Sequence, residues 1–412
     1  MKIKIRKILY FLWFSFTIAL LIWKGGILGW QQKTADFYNY YTASKLVLQG
    51  KPIHKFYNNN WFNEEAQKIN IQEGAKFSPF PPVTAYLFIP LTVLSPITAK
   101  RLWLLINFLL IMALPFRIRN ITKWSFENTL LFLTLFTLPL ASTLNSGQIY
   151  LVIGFALLEI IGNTYHKKRG VLIGVIIGFS ASLKYLPILF LAYITKNQKR
   201  ITIILVTMLT ILFSSIAIYV NDNLAFPFFF EHFNSHIQGK LPGQGQYSVA
   251  FQSLDSLLNN LFVYNTEKNP SPLIHSITIK TILKLLLKLV ILAIVFILYK
   301  KNKYKITPVL ISIGMLGIFS LLPATASYHL LLLLFPLTII FLWVLNLNSP
   351  RKTAVFFVIT LIALNLQSHH IPNFNKLLIF NLLIHYPRFW GVLFLFFLTS
   401  FYYRNYPSRY YG

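Results

Sequence analysis

Long apolar stretches alternate with short polar segments along almost the whole chain, from residue 8 to residue 403. A helix needs about 20 predominantly apolar residues to cross the hydrocarbon core of a bilayer, and stretches near this length recur throughout. The pattern predicts an all-α integral membrane protein. We expect it to form a single polytopic membrane domain over residues 1–412.

Clusters of basic residues separate the apolar stretches and predict the topology. Cytoplasmic loops are enriched in Lys and Arg, so an even number of crossings should separate neighbouring cytoplasmic clusters. Assigning every cluster to the cytoplasm gives about twelve spans with both termini in the cytoplasm. The clusters are Lys2–Lys7, Arg117–Lys123, His166–Arg169, Lys196–Arg200, Lys300–Lys305, Arg351–Lys352 and Arg404–Arg409.

The predicted spans are residues 8–30, 98–116, 126–143, 149–165, 170–183, 185–195, 201–220, 273–299, 306–322, 328–346, 353–367 and 386–403. The predicted outer segments are 31–97, 144–148, the region around 184, 221–272, 323–327 and 368–385. Prolines at 79, 81, 82 and 90 interrupt segment 79–94. Because proline lacks the backbone N–H, we predict an outer interfacial or re-entrant helix here that does not cross.

Composition supports a membrane protein and excludes several other classes. Hydrophobic residues make up 56% of the chain and charged residues 12%, a balance that soluble domains do not have. The net charge of +28 falls in clusters that anchor helices, so it does not indicate a nucleic-acid partner. The Lys-, Asn- and Ile-rich composition suggests a bacterial plasma membrane protein. The chain has no cysteine, which excludes disulfides and thiol catalysis.

Asp36 follows the first predicted span directly and so lies at the outer mouth of the bundle. A carboxylate in this position is costly unless it has a task, such as accepting the proton of a sugar hydroxyl. A solvated loop acid is the simpler alternative. Neighbouring aromatic residues, among them Tyr40, would suit either a sugar site or an interfacial belt.

Three further motifs lie on the predicted outer side. Asn145 and Gln148 belong to a short polar turn that could bind sugar hydroxyls or simply reverse the chain. Lys184 is isolated from every basic cluster, which favours a phosphate partner over simple snorkelling to the interface. His329 could donate to a phosphate oxygen or serve as a structural hydrogen-bonding group.

Metal ligands are sparse on this side of the bundle. The pairs His369–His370 and His232/His236 are weak metal candidates by residue type.

The order of these segments resembles glycosyltransferase family 87, including mycobacterial alpha-1,2-mannosyltransferases, from Asp36 to about Pro336. Each element is weak alone, but their order and spacing are fairly specific. The elements are Asp36–Ala43, Gly50 with Tyr57, Phe80-Pro81-Pro82, Gly147-Gln148, Gly170 to Tyr185, Phe251-Gln252-Ser253-Leu254, and Leu322-Pro323 with Tyr328-His329.

The resemblance implies a GT-C-like bundle that transfers a hexose, in the first place mannose, from a polyprenyl-phosphate donor to a glycan or glycolipid on the outer face. It implies no cofactor, and the absence of an Asp-x-Asp pair argues against a metal-dependent scheme. The implied roles are general base for Asp36, donor-phosphate binding for Lys184 and His329, and sugar or acceptor binding for Tyr40, Asn145, Gln148 and Gln252.

Two alternatives remain open from the sequence. A flippase of lipid-linked sugars would need polar residues through the bundle, yet apart from Glu127 at the very start of the span 126–143, Glu159 is the only acid predicted within a span. A polymerase or ligase of surface polysaccharide would be expected to carry a large outer loop with several arginines, and segment 221–272 contains none.

Overall fold

A computed structural model describes residues 2–33, 35–72, 74–164, 170–194, 200–240, 245–366 and 383–406. Within these ranges every regular element is helical, and an isolated bridge between Asn265 and Asn269 is the sole extended pairing. The chain divides into two compact units, Met1–Asn234 and Ser235–Gly412, and each is described by itself. The single domain predicted from the sequence remains a prediction.

The first unit consists of helices of very different length. They are Lys2–Leu20, the π-helical Leu21–Ile27, Leu28–Gln31, Asp36–Leu48, Ile53–Tyr57, Asn59–Lys68, Pro82–Tyr86, Ile89–Val93, Pro96–Thr122, Phe126–Thr134, Thr137–Ser146, Tyr150–Thr164, Gly170–Leu183, Leu186–Ile194, Arg200–Asn221 and Ala225–Ile237, the last of which reaches the unit boundary. Four of these, at 53–57, 82–86, 89–93 and 186–194, are 3₁₀-helices.

The second unit begins with short helices and continues with longer apolar ones. They are the 3₁₀-helix Val249–Phe251, Leu254–Phe262, Ile277–Lys301, Pro308–Leu321, the 3₁₀-helix Ser327–Leu333, Leu334–Leu345, Pro350–Asn365 and Pro387–Asn405. Backbone and side-chain hydrogen bonds bring three loops of this unit together. Thr325 N donates to Phe251 O at 3.0 Å, and Gln252 Nε2 donates to His385 O at 3.0 Å.

The protein is a multi-pass membrane protein by the length and composition of its helices. Among the described residues, five candidate spans are long and apolar enough to cross a bilayer, and a sixth is possible if the helices Phe126–Thr134 and Thr137–Ser146, bent by 65°, count as one span. The five are Ile8–Leu48, Pro96–Thr122, Arg200–Asn221, Ile277–Lys301 and Ser327–Leu345. Further apolar helices are shorter, so the number of about twelve spans and the side on which each terminus lies remain predictions.

Two predicted segments differ from the structure in their local form. Segment 79–94 is not one helix but two 3₁₀-helices, Pro82–Tyr86 and Ile89–Val93, because its prolines supply no backbone donor for an α-helical ladder. The predicted span 185–195 is the 3₁₀-helix Leu186–Ile194. The first predicted outer segment, 31–97, also contains a regular α-helix, Asp36–Leu48, which carries the candidate base.

Small residues allow the helices Gly170–Leu183 and Arg200–Asn221 to approach closely. A Cβ atom at Gly178 would lie 2.8 Å from the backbone oxygen of Thr207 and 2.7 Å from Thr210 Cβ. The hydroxyls of Ser182 and Ser214 are hydrogen-bonded at 2.8 Å further along the same pair. Close packing of small residues and interhelical hydrogen bonds are the usual stabilising contacts between helices in lipid.

We therefore expect Gly178→Ala to lower the stability of the purified protein by about 1–3 kcal/mol, because the added methyl would clash with the backbone of the neighbouring helix at Thr207. Gly314→Ala is the matched control, since a Cβ at this helical position meets nothing within 4 Å. Thermal unfolding in detergent should show a lower midpoint for the first variant and an unchanged or slightly higher midpoint for the second. Equal midpoints would contradict the packing.

Candidate active site

A chain of hydrogen bonds links Asp36 to the core of the first unit. Gln148 Nε2 donates to Asp36 Oδ2 at 2.8 Å, and Gln148 Oε1 accepts from the hydroxyl of Tyr40. Tyr40 lies one helical turn after Asp36, so the two side chains share a face of the helix Asp36–Leu48. Gln148 is 1% exposed, whereas Asp36 is only half-buried. The buried amide therefore orients one carboxylate oxygen and leaves the other available to a ligand.

A glycine turn places Gln148 beside this helix. Gly147 ends the helix Thr137–Ser146 with a φ of +68°, which favours glycine. A Cβ atom there would lie 2.6 Å from Phe37 Cβ, so the turn and the helix Asp36–Leu48 touch at this point. The indole of Trp103 donates to Gly147 O at 3.0 Å and holds the turn in place.

Hydrogen bonds join the proline-rich segment 79–94 to two helices. The Ser44 hydroxyl donates to Ala85 O at 2.7 Å and accepts from Phe88 N at 3.1 Å, which attaches the segment to the helix Asp36–Leu48. The Thr84 hydroxyl donates to Leu183 O at 2.9 Å, which attaches it to the end of the helix Gly170–Leu183. These bonds bring Lys184, the next residue after that helix, close to the aromatic side chains around Tyr40.

Lys184 is a buried cation surrounded by aromatic rings. Its side chain is 5% exposed, and Nζ lies 3.7 Å from the ring centroid of Phe80, 5.3 Å from that of Tyr40 and 5.2 Å from that of Tyr150. Within the described part of the chain, Nζ has no hydrogen-bond acceptor and no salt-bridge partner.

Lys184 follows the end of an apolar helix and precedes Leu186–Ile194, outside both segments. Burial lowers the pKa of its ammonium to about 7, and the nearby Asp36 carboxylate opposes this shift. Aromatic faces stabilise a cation but leave its N–H donors unfilled. The residue is therefore prepared to bind an anion.

Asn145 supplies an unpaired acceptor to the same turn. It lies in the last turn of the helix Thr137–Ser146, and its Oδ1 is buried with no hydrogen-bond partner among the described residues. Such orphaned polar atoms are uncommon in folded proteins and often mark a place for water or ligand. The structure therefore brings together Asp36, Tyr40, Gln148 and Lys184 of the predicted site, with Asn145 in the adjoining turn.

Gln252 and His329 belong to the second unit and have partners within it. Gln252 has a φ of +48°, its Oε1 accepts from Arg388 N at 3.0 Å, and its Nε2 is bonded to the carbonyl of His385. His329 Nδ1 accepts from Ala326 N at 2.9 Å and caps its own 3₁₀-helix. Both side chains thus have a structural function in this unit, and their predicted ligand roles remain predictions.

Sequence reasoning did not predict Phe80 as a residue of the candidate site. The contact of Phe80 with Lys184 depends on tertiary packing and left no local signal.

The described residues contain no cluster of potential metal ligands. No group of three or more His, Cys, Asp or Glu residues among them could hold a metal ion. Of the weak candidates, His369–His370 lies outside the described residues. His232 has its ring nitrogen at 2.9 Å from Phe228 O.

Comparison with known sequences decides the class. The model of glycosyltransferase family 87 matches residues 79–316, which is more than half of the chain. The chain belongs to glycosyltransferase family 87. It is a membrane glycosyltransferase, and the resemblance noted in the motifs is confirmed. No curated protein and no solved structure matches the chain significantly.

The match includes some candidate residues and not others. Asn145, Gln148, Lys184 and Gln252 lie inside the matched range, whereas Asp36, Tyr40 and His329 lie outside it. Asp36 is connected to the matched range by its hydrogen bond to Gln148, a residue inside that range.

The contact between the Gly147 turn and Phe37 can be tested with two alanine variants that share a left-handed backbone. Gly147 and Gly50 have φ values of +68° and +70°, but a Cβ at Gly50 meets nothing within 4 Å. Gly50→Ala should cost about 1–2 kcal/mol in backbone strain. Gly147→Ala should cost clearly more and reduce sugar transfer by the glycosyltransferase. Equal thermal midpoints and equal transfer would contradict the contact.

Proposed function

We propose that this glycosyltransferase moves a hexose, with mannose as the first sugar to test, from a polyprenyl-phosphate donor to a glycan or glycolipid acceptor on the outer face. The reaction is a single displacement with inversion at the anomeric carbon. The proposal is based mainly on the buried ammonium of Lys184, which has no acceptor among the described residues and lies near enough to the oriented carboxylate of Asp36 to feel its charge. A phosphate leaving group and an acceptor hydroxyl need these two charges.

Asp36 is the general base in this mechanism. The acceptor hydroxyl oxygen forms a bond to the anomeric carbon while its proton passes to the Asp36 carboxylate. The hydrogen bond from Gln148 Nε2 occupies Oδ2, so Oδ1 is the oxygen that receives the proton. Positioned general bases accelerate such reactions by about 10²–10⁴-fold.

Lys184 stabilises the leaving group. As the bond between the anomeric carbon and the phosphate oxygen breaks, its electron pair stays on the polyprenyl phosphate, whose charge grows from one to two. A preorganised cation in a site that excludes water is most effective against such developing charge. Lys184 is buried and held over Phe80, so little reorganisation is needed.

The remaining predicted residues would position the sugars. The unpaired Oδ1 of Asn145 can accept from a sugar hydroxyl. Tyr40 is fully buried and stacks on Phe80 and Phe88, so it contributes by holding Gln148 through its hydroxyl. Gln148 contributes mainly by orienting Asp36, since both of its polar atoms are bonded within the protein. The ligand roles of Gln252 and His329 remain predictions from the family resemblance, and the reaction is assigned to the outer face by the distribution of basic clusters.

Export of a lipid-linked sugar by the same protein is not favoured. Glu159, an acid predicted within a span, forms a salt bridge of 2.5 Å with Arg117 and is not a free group on a transport path. Membership in a glycosyltransferase family also supports group transfer over flipping.

Asp36→Asn should leave the protein folded and reduce transfer to less than about a tenth of wild type, because the amide cannot accept the proton. The assay is transfer of radiolabelled mannose from synthetic polyprenyl-phosphate-mannose to mixed glycan acceptors by purified protein in nanodiscs. Glu64→Gln, which removes an exposed acid from the same outer segment, should be fully active. Retention of more than a tenth of the activity in Asp36→Asn would exclude Asp36 as the base.

The pH profile should report Lys184. The ammonium is charged below a pKa of about 7, and the phosphodiester donor keeps one negative charge across this range. Donor kcat/KM should therefore be highest below pH 7 and fall by up to about tenfold per pH unit above it. Lys184→Arg stays charged and should remove the decline, whereas Lys184→Met should weaken donor use at every pH. A wild-type profile that is flat or rises from pH 7 to 9 would contradict the assignment.

A further inference from the structure

The second unit contains a buried positive charge that its own residues cannot neutralise. Arg388 is 5% exposed. Between residues 235 and 412 the chain has two acidic side chains, Asp255 and Glu267. Lys284 is bonded to both oxygens of Asp255, at 2.6 and 2.8 Å, and Glu267 is exposed. Burial of an uncompensated charge is expensive, by several kcal/mol per ion.

Neutral groups hold the guanidinium of Arg388 in place. Nη1 donates to Ser327 Oγ at 2.5 Å and Nη2 donates to Ala250 O at 2.7 Å. Nε is buried without a partner among the described residues. A guanidinium has five N–H donors, so the described residues use less than half of its donor capacity. Among these residues the charge of Arg388 has no anionic partner either.

The surrounding backbone adds to the positive potential. Arg388 lies in the first turn of the 19-residue helix Pro387–Asn405, where the helix dipole is positive. Gln252 holds this helix start through its bonds to Arg388 N and His385 O, both 3.0 Å long. The rigid support indicates that the guanidinium is fixed in one position.

We propose that Arg388, with the Ser327 loop, binds a phosphate group of a substrate of this glycosyltransferase. The inference rests on the proposed function insofar as a lipid-linked sugar is the donor. Arginine suits this role because its planar fork matches phosphate and is weakly hydrated. The phosphate belongs either to the polyprenyl-phosphate donor or to the headgroup of an anionic glycolipid acceptor.

A binding experiment that requires no sugar transfer tests the site. Radiolabelled polyprenyl phosphate is titrated onto the full-length protein in phosphatidylcholine nanodiscs, with wild type, Arg388→Gln and Arg388→Lys compared. Arg404→Gln is the matched control, because it removes the same charge from an exposed position near the other end of the helix. A parallel series replaces polyprenyl phosphate with phosphatidylinositol. Thermal midpoints are measured for every variant without ligand.

We expect Arg388→Gln to weaken polyprenyl phosphate binding by about 10- to 100-fold, the loss of a charge-assisted hydrogen bond, and Arg404→Gln to leave it unchanged. Arg388→Lys keeps the charge but loses the fork, so its affinity should be intermediate. Loss confined to phosphatidylinositol would assign the phosphate to the acceptor and also support the site.

Unchanged affinity of Arg388→Gln for both ligands with a lowered thermal midpoint would mean that Arg388 only connects the loops of Ser327 and Ala250, and this result would overturn the proposal. If Arg388→Gln does not fold, wild-type affinity of Arg388→Lys for both ligands would overturn it equally. Because binding is read directly, failure of this site is distinguishable from failure of the proposed transfer reaction.

Discussion

The proposed mechanism depends on one physical feature of the first unit, the burial of the Lys184 ammonium without a counter-ion among the described residues. Aromatic faces at 3.7 to 5.3 Å stabilise the cation in part, and Asp36 favours its charged form from further away. A direct salt bridge between Lys184 and Asp36 would neutralise both charges, and neither group would then be available to a substrate. Keeping the two charges apart leaves the carboxylate for a proton and the ammonium for a phosphate. The free energy withheld from folding is then available on substrate binding.

The irregular segments of the first unit maintain this separation. The turn at Gly147 carries Gln148 to the carboxylate, and the proline-rich segment carries Phe80 to the end of the helix Gly170–Leu183. Thr84 closes the contact by bonding Leu183 O. Two of the irregular segments of this unit therefore hold the side chains of the candidate site in place.

Hydrophobic pattern and charge predicted the regular part of the fold well. The predicted span 201–220 is the helix Arg200–Asn221, and 386–403 is Pro387–Asn405, because a long apolar helix is specified by local sequence. The pattern did not distinguish α-helix from 3₁₀-helix at Leu186–Ile194, because this short stretch is apolar at nearly every position and so shows no helical period. For the site, the predicted topology drew attention to Asp36 and Lys184, and the polar turn after residue 144 drew attention to Gln148. Neither feature could reveal the hydrogen bond between Gln148 and Asp36 or the ring of Phe80, because these contacts join residues distant in sequence.

The most direct test of the proposed mechanism is a structure of the protein in nanodiscs with a phosphonate analogue of a polyprenyl-phosphate sugar, which cannot undergo transfer. We predict a phosphonate oxygen about 3 Å from Lys184 Nζ, at hydrogen-bond distance, with the anomeric carbon facing Oδ1 of Asp36 across a space for the acceptor hydroxyl. A phosphonate bound elsewhere, with Lys184 still enclosed by its aromatic rings, would contradict it.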